Sequence, residues 1–147
     1  MTGSLVEDVL RAVGSGAGLA GGVRVGIDVV SIQDLARLIA GPGGATFVEN
    51  SFTPSEQDYC FARPDRLAVR WAAKEAVAKA IGTGFRALRP SDIEVTHHAD
   101  GRPTVAPSLA ATWPNSAHEW AWSLSLCHEG DAATAIAVGI IQRGDAQ

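Results

Sequence analysis

Apolar residues recur three and four apart at Ala73, Ala76, Val77, Ala80 and Ile81, and predict the second half of a long helix. Pro64 and Asp65 suit its first turn and Gly82 its stop. From Pro64 to Ile81 such a helix runs roughly 27 Å. Upstream, the Val- and Ile-rich stretch from Val23 to Val30 predicts a strand, and Ser31 caps a helix from Ile32 to about Ala40. Gly41 to Gly44 ends that helix, and Phe47 to Phe52 reads as a short connection. Thr53, Pro54 and Glu56 form a capping-box start for a helix ending near Ala62. Downstream, Ile93–His97 alternates as a strand, Asp100-Gly101 signals a hairpin turn, and Pro103 to Ala106 returns. Leu109 to about Thr112 reads as a short helix. Trp120 to Leu126 and Ala133 to Ile141 read as strands, joined by a turn from His128 to Asp131. The order β-α-α-α-β-β-α-β-β implies an α+β domain, a largely antiparallel sheet packed on the long helix. Residues 1–22 read as an extension: an amphipathic stretch from Ser4 to Val13, then five glycines between Gly14 and Gly22. The domain itself is expected over 23–147.

Charge on the long helix is sparse. Trp71, Glu75 and Lys79 are four apart and share a face. Arg66, Arg70 and Lys74 form a second row, where like charges at this spacing cost a few tenths of a kcal/mol per pair. That row is either an ordinary solvated face or one that meets an anion. Asp28 falls on an apolar strand, where a carboxylate is expensive unless paired, hydrogen-bonded or metal-bound. It either caps a neighbouring turn or converges with Glu75 on a divalent cation. Two carboxylates completed by phosphate oxygens and waters suit Mg²⁺. Lys74, Lys79 and the backbone of Gly82-Thr83-Gly84 then face phosphates. This is not a P-loop, because the glycines follow a helix rather than precede one.

The chain has 147 residues, 46% apolar and 19% charged, which fits one globular domain with a core. No apolar run reaches the ~18 residues of a membrane span. The N-terminus lacks a signal-peptide core and carries Glu7 and Asp8. Cys60 and Cys127 read as reduced thiols of a cytoplasmic protein. A net charge of −4 argues against a general nucleic-acid binder and makes docking to an acidic partner a local matter. His97 and His98 point to opposite strand faces and make a poor metal pair. Trp113, Trp120 and Trp122 read as core or interface.

Gly26-Ile27-Asp28, followed by Trp71-Ala-Ala-Lys-Glu-Ala-Val-Ala-Lys79, resembles the 4′-phosphopantetheinyl transferases of the small holo-acyl-carrier-protein-synthase type. The resemblance runs from about Val23 to Ile140. It implies transfer of the 4′-phosphopantetheine arm of coenzyme A to a serine of an acyl or peptidyl carrier protein, with adenosine 3′,5′-bisphosphate leaving. It implies Mg²⁺ on Asp28 and Glu75, with Glu75, Lys79 and Asp28 catalytic. Coenzyme A is expected on Lys74, Lys79, Gly82, Thr83 and Gly84, with Arg70 from the cationic row, Ser123 and Ser125 against the nucleotide, and His128 either a substitute for the family's histidine or an exposed turn residue. A homotrimer with coenzyme A between subunits is also implied. Two positions depart from the family pattern. Leu126 stands where the family places a histidine, with His128 two residues on. The helix after Asp28 offers only Gln33, Asp34 and Arg37 where the family carries basic side chains for its carrier. The competing readings are a non-catalytic coenzyme A or carrier-binding module, and a metal-dependent phosphohydrolase, which calls for more carboxylates.

Overall fold

A computed structural model describes residues 22–109 and 111–142. The expected helix over Ser4 to Val13 and the glycine linker up to Gly21 lie outside the described residues. Strand β1 (Val23–Ser31) leads into α1 (Ile32–Ala40), α2 (Gly44–Ser51), α3 (Pro54–Cys60) and the long α4 (Pro64–Ile81). Then come β2 (Ile93–His97), β3 (Pro103–Pro107), β4 (Ala121–Glu129) and β5 (Ala132–Ile140), with 3₁₀ turns at Gly84–Arg86, Pro90–Asp92 and Pro114–Glu119. The strands form an antiparallel sheet in the order β1-β5-β4 and a separate β2-β3 hairpin. The α+β class and the long helix on an antiparallel sheet match the sequence reading.

Three local expectations change. The connection from Phe47 to Phe52 belongs mostly to α2, which starts behind Gly43 in the left-handed region (φ 79°) without a side-chain cap. Its ring at Phe47 stacks edge-on to Trp71, with centroids 5.1 Å apart. The short helix expected at Leu109 is absent at Ala111 and Thr112, and the helical turn falls instead at Pro114–Glu119. The turn expected from His128 shrinks to Gly130 and Asp131, because β4 continues to Glu129.

Asp131 anchors that turn to α1. Its carboxylate accepts from Ser31 Oγ at 2.6 Å and from the Gln33 backbone N–H at 2.8 Å, beside the Ser31 cap on Asp34 N–H. Thr53 and Glu56 make the expected capping box on α3. Trp113 is core, and Trp122 donates its indole N–H to the Ala117 carbonyl.

The helix α4 lies on one face of the three-stranded sheet. The middle strand presents Ala133, Ala135 and Ala137 to it, all fully buried, and α4 answers with Ala72, Ala73, Ala76 and Ala80. Small residues on both sides bring helix and sheet close together. Among the described residues no helix covers the opposite sheet face, and there Val25, Ile27 and Val29 are 62%, 54% and 62% exposed.

Candidate active site

Side chains on β1 alternate, so Gly26 and Asp28 both point toward α4 while Ile27 points away. At Gly26 the backbones nearly touch: a Cβ built there would sit 1.8 Å from the Ala76 carbonyl oxygen. Only glycine permits this approach, and it brings Asp28, two residues on, over the next stretch of α4. Lys79 Nζ donates to Asp28 Oδ1 at 2.7 Å and to the Ile27 carbonyl at 3.1 Å. The Asp28 side chain is 16% exposed and that of Lys79 51%.

Glu75 stands one turn before Lys79 on the same face of α4. Burial pushes its carboxyl above the usual carboxylate range, and the negative charge of Asp28 pushes the same way against the pull of Lys79. The hydrogen bond to Asp28 holds the Lys79 ammonium above its ordinary pKa, so it stays charged. Asp28 and Glu75 therefore share one electrostatic site, with Lys79 as its cation.

Gly82 closes α4 in the left-handed region (φ 94°), its N–H on the Ala78 carbonyl. Gly84 is also left-handed (φ 55°). A Cβ at either would meet nothing within 4 Å, so both backbones lie open to approach. The loop then folds back along the helix, with the Phe85 ring 5.6 Å from Trp71, one turn before Glu75.

A family model described as the 4′-phosphopantetheinyl transferase superfamily matches residues 24–137. The chain belongs to the 4′-phosphopantetheinyl transferase superfamily. It is 38% identical over 117 residues to a holo-[acyl-carrier-protein] synthase of Gloeobacter violaceus, covering 76% of this chain and 88% of that protein. A holo-[acyl-carrier-protein] synthase of a Mycobacterium species is 42% identical over 127 residues, covering 79% and 95%. The crystal structure of the Neisseria meningitidis synthase superposes with a TM-score of 0.69 at 35% identity, over 79% of this chain and 96% of that one. The Helicobacter pylori synthase, solved in complex with coenzyme A, has a TM-score of 0.69 at 26% identity, over 78% and 98%.

Against this transferase frame, the expected site residues divide. Asp28 and Lys79 meet, Glu75 lies one turn before Lys79 within reach of their charges, and Gly82, Thr83 and Gly84 follow directly on the helix. Lys74 does not join them. Its side chain is fully buried and donates to Glu56 Oε2 at 2.7 Å, the Pro90 carbonyl at 3.0 Å and the Ile93 carbonyl. The expectation that Lys74 holds a phosphate is corrected: it has three protons and three internal acceptors. Arg70 is also inside, 5% exposed, its guanidinium 4.1 Å from the Tyr59 ring centre, so the row of Arg66, Arg70 and Lys74 is no open anion-facing stripe.

Ser123 and Ser125 pair across β5 in the rows of Val25 and Ile27, so they stand on the sheet face opposite Asp28. Within one chain they do not reach the Asp28–Glu75 site. Leu126 lies in the row of Ala135 and Asp28, on the helix side. Because β4 continues, His128 keeps that side, one row further on with Ala133 and Val30, and it is exposed. The residue missed by sequence reasoning is Glu56. Its capping box accounted for one carboxylate oxygen, and nothing in the local pattern announced that Oε1 accepts from Val95 N–H at 2.9 Å while Oε2 holds Lys74.

Proposed function

We propose that this protein transfers the 4′-phosphopantetheine arm of coenzyme A to a serine hydroxyl of an apo acyl carrier protein, releasing adenosine 3′,5′-bisphosphate. The observation that carries this reading is the Lys79–Asp28 ion pair where β1 crosses α4, with Glu75 one turn before Lys79 on the same helix face and within its electrostatic reach. The likeness to holo-[acyl-carrier-protein] synthases over nearly their whole length supports it.

The donor set fits Mg²⁺: two hard carboxylates, Asp28 and Glu75, leaving the remaining positions to phosphate oxygens and water. When bound, Mg²⁺ neutralises pyrophosphate charge and acidifies a coordinated water. Lys79 Nζ, held charged by Asp28, stabilises the phosphate that leaves. Glu75, or a water held beside it, accepts the serine proton. The open backbone of Gly82-Thr83-Gly84 lets phosphate approach the end of α4. There the helix dipole opposes it by roughly 0.3–1 kcal/mol, which Lys79 in the last turn offsets.

The outer sheet face, uncovered among the described residues, supports a homotrimer. Val25, Ile27, Val29, Ile136 and Ile140 are exposed apolar side chains of β1 and β5. A second subunit on this face removes them from water and brings its own groups beside Ser123 and Ser125. Sedimentation at assay concentration is expected to give a trimer, and Ile136→Lys a dissociated, inactive chain. An active monomer would contradict this. Two free thiols, Cys60 and Cys127, suit a reducing cytoplasm.

The non-catalytic reading draws on Leu126, which supplies no donor in the histidine position. His128, exposed on the same side of β4, is the available substitute. His128→Ala is expected to raise the KM for coenzyme A about ten- to a hundred-fold, the loss of one charged hydrogen bond, with a smaller change in kcat. An unchanged KM would make His128 an ordinary strand-end residue. Incubating an apo carrier with coenzyme A and Mg²⁺ separates catalysis from binding: a binding module leaves the carrier mass unchanged.

A further inference from the structure

The reaction as proposed leaves one buried charged pair unused. The Lys74 ammonium is saturated inside the protein, with no donor left for a substrate. Glu56 is equally committed, accepting from Thr53 N–H at 2.8 Å, Val95 N–H at 2.9 Å and Lys74. The pair ties together the start of α3, the middle of α4, the Pro90–Asp92 turn and β2.

The rest of the α4 interface explains why such a tie matters. Ala68, Ala72, Ala73, Ala76, Ala78 and Ala80 are all buried. Alanines let the helix sit close but are short and alike, so they define its rotation weakly. A buried polar pair with fixed partners specifies register more sharply than apolar packing does. Glu75 follows Lys74 by one residue, about 100° round the helix. A fixed direction for Lys74 is therefore a fixed direction for Glu75, and for Lys79 a turn later.

We infer that Lys74 and Glu56 are positioning residues, whose buried ion pair holds α4 in the rotation at which Glu75 and Lys79 meet Asp28. The kinetic side of this rests on the transfer reading; the structural side does not.

The test uses the full chain carrying Lys74→Met, Glu56→Gln, or both. Each single change strands one buried charge. The double removes both and leaves an oxygen at position 56 for Val95 N–H. Crystal structures of the singles should show the 2.7 Å Lys79–Asp28 contact broken. Mn²⁺ affinity should fall about ten- to a hundred-fold, as when the groups supporting metal ligands are lost. The kcat should fall about a hundred-fold, with the KM for coenzyme A nearly unmoved. The double should regain the contact and most of the kcat. If Lys74→Met raises KM while Glu56→Gln changes neither KM nor the contact, Lys74 is a phosphate ligand and the inference is overturned. It is overturned equally if the singles only melt earlier, with contact and kcat intact below the melting point. Should the singles not fold, Glu56→Asp keeps both charges and shortens one arm. It should displace the contact and lower kcat, and an intact contact with full kcat would refute the inference. If the wild type transfers nothing, the transfer reading falls, and the Lys79–Asp28 contact still judges the pair.

Discussion

Asp28→Ala and Glu75→Ala each remove transfer and leave a folded protein. On the proposed reading, either change takes away one of the two carboxylates that would hold Mg²⁺, and the second also takes away the group proposed to accept the proton. A loss of about 10³-fold or more is expected, roughly 4 kcal/mol of transition-state stabilisation. The fold should not suffer at Glu75. Its carboxyl titrates above the ordinary range because burial and Asp28 disfavour its charge. A carboxyl raised in this way contributes stability below its unfolded pKa and loses it as pH rises through the folded value. At neutral pH the ionised Glu75 therefore subtracts from stability. Glu75→Gln should melt higher than the wild type at pH 7.5 without metal, and the gap should close as pH falls through the raised pKa. Near-wild-type turnover by either alanine variant in excess Mg²⁺ would refute the metal assignment.

Gly26→Ala should be a severely damaging substitution, separating β1 from α4. Its Cβ would lie 1.8 Å from Ala76 O, 2.8 Å from Ala76 C and 2.9 Å from Ala80 N, all backbone atoms of α4. No side chain can rotate away, so the helix itself must retreat from β1. A cost of about 3 kcal/mol or more is expected, at the upper end for overpacking. At this chain length that is a fall of about 10 °C or more in Tm. Any folded remainder should also turn over slowly, because Asp28 rides on the same strand face. Gly84→Ala is the control. Its φ of 55° is left-handed but nothing crowds the added methyl, so only the conformational cost of roughly 1–2 kcal/mol remains. A Gly26→Ala variant melting with the wild type would mean that β1 and α4 are not in the contact described.

Much of this architecture was legible because the signals are local. The caps at Ser31 and Thr53, Pro64 at the start of α4 and Gly82 past its end announce their helices within one turn. The pairing of Gly-Ile-Asp with the Lys-Glu helix points to Asp28, Glu75 and Lys79 from the sequence alone. What was not legible shares a cause: it depends on partners far along the chain. Helical spacing put Lys74 in a row with Arg66 and Arg70, but its direction is set by Glu56, eighteen residues earlier on another helix. Alternation in β4 separated Ser123 and Ser125 from Leu126 and His128, yet could not say which side α4 would cover. The helix α2 was hidden because it opens on glycines and has no polar cap.

The central claim is transfer itself, and mass spectrometry of an apo acyl carrier protein incubated with this protein, coenzyme A and Mg²⁺ tests it most directly. The expected result is a carrier heavier by one phosphopantetheine on its serine, with adenosine 3′,5′-bisphosphate released in equal amount and neither product formed by Glu75→Ala. A carrier of unchanged mass, across acyl and peptidyl carriers alike, would contradict it.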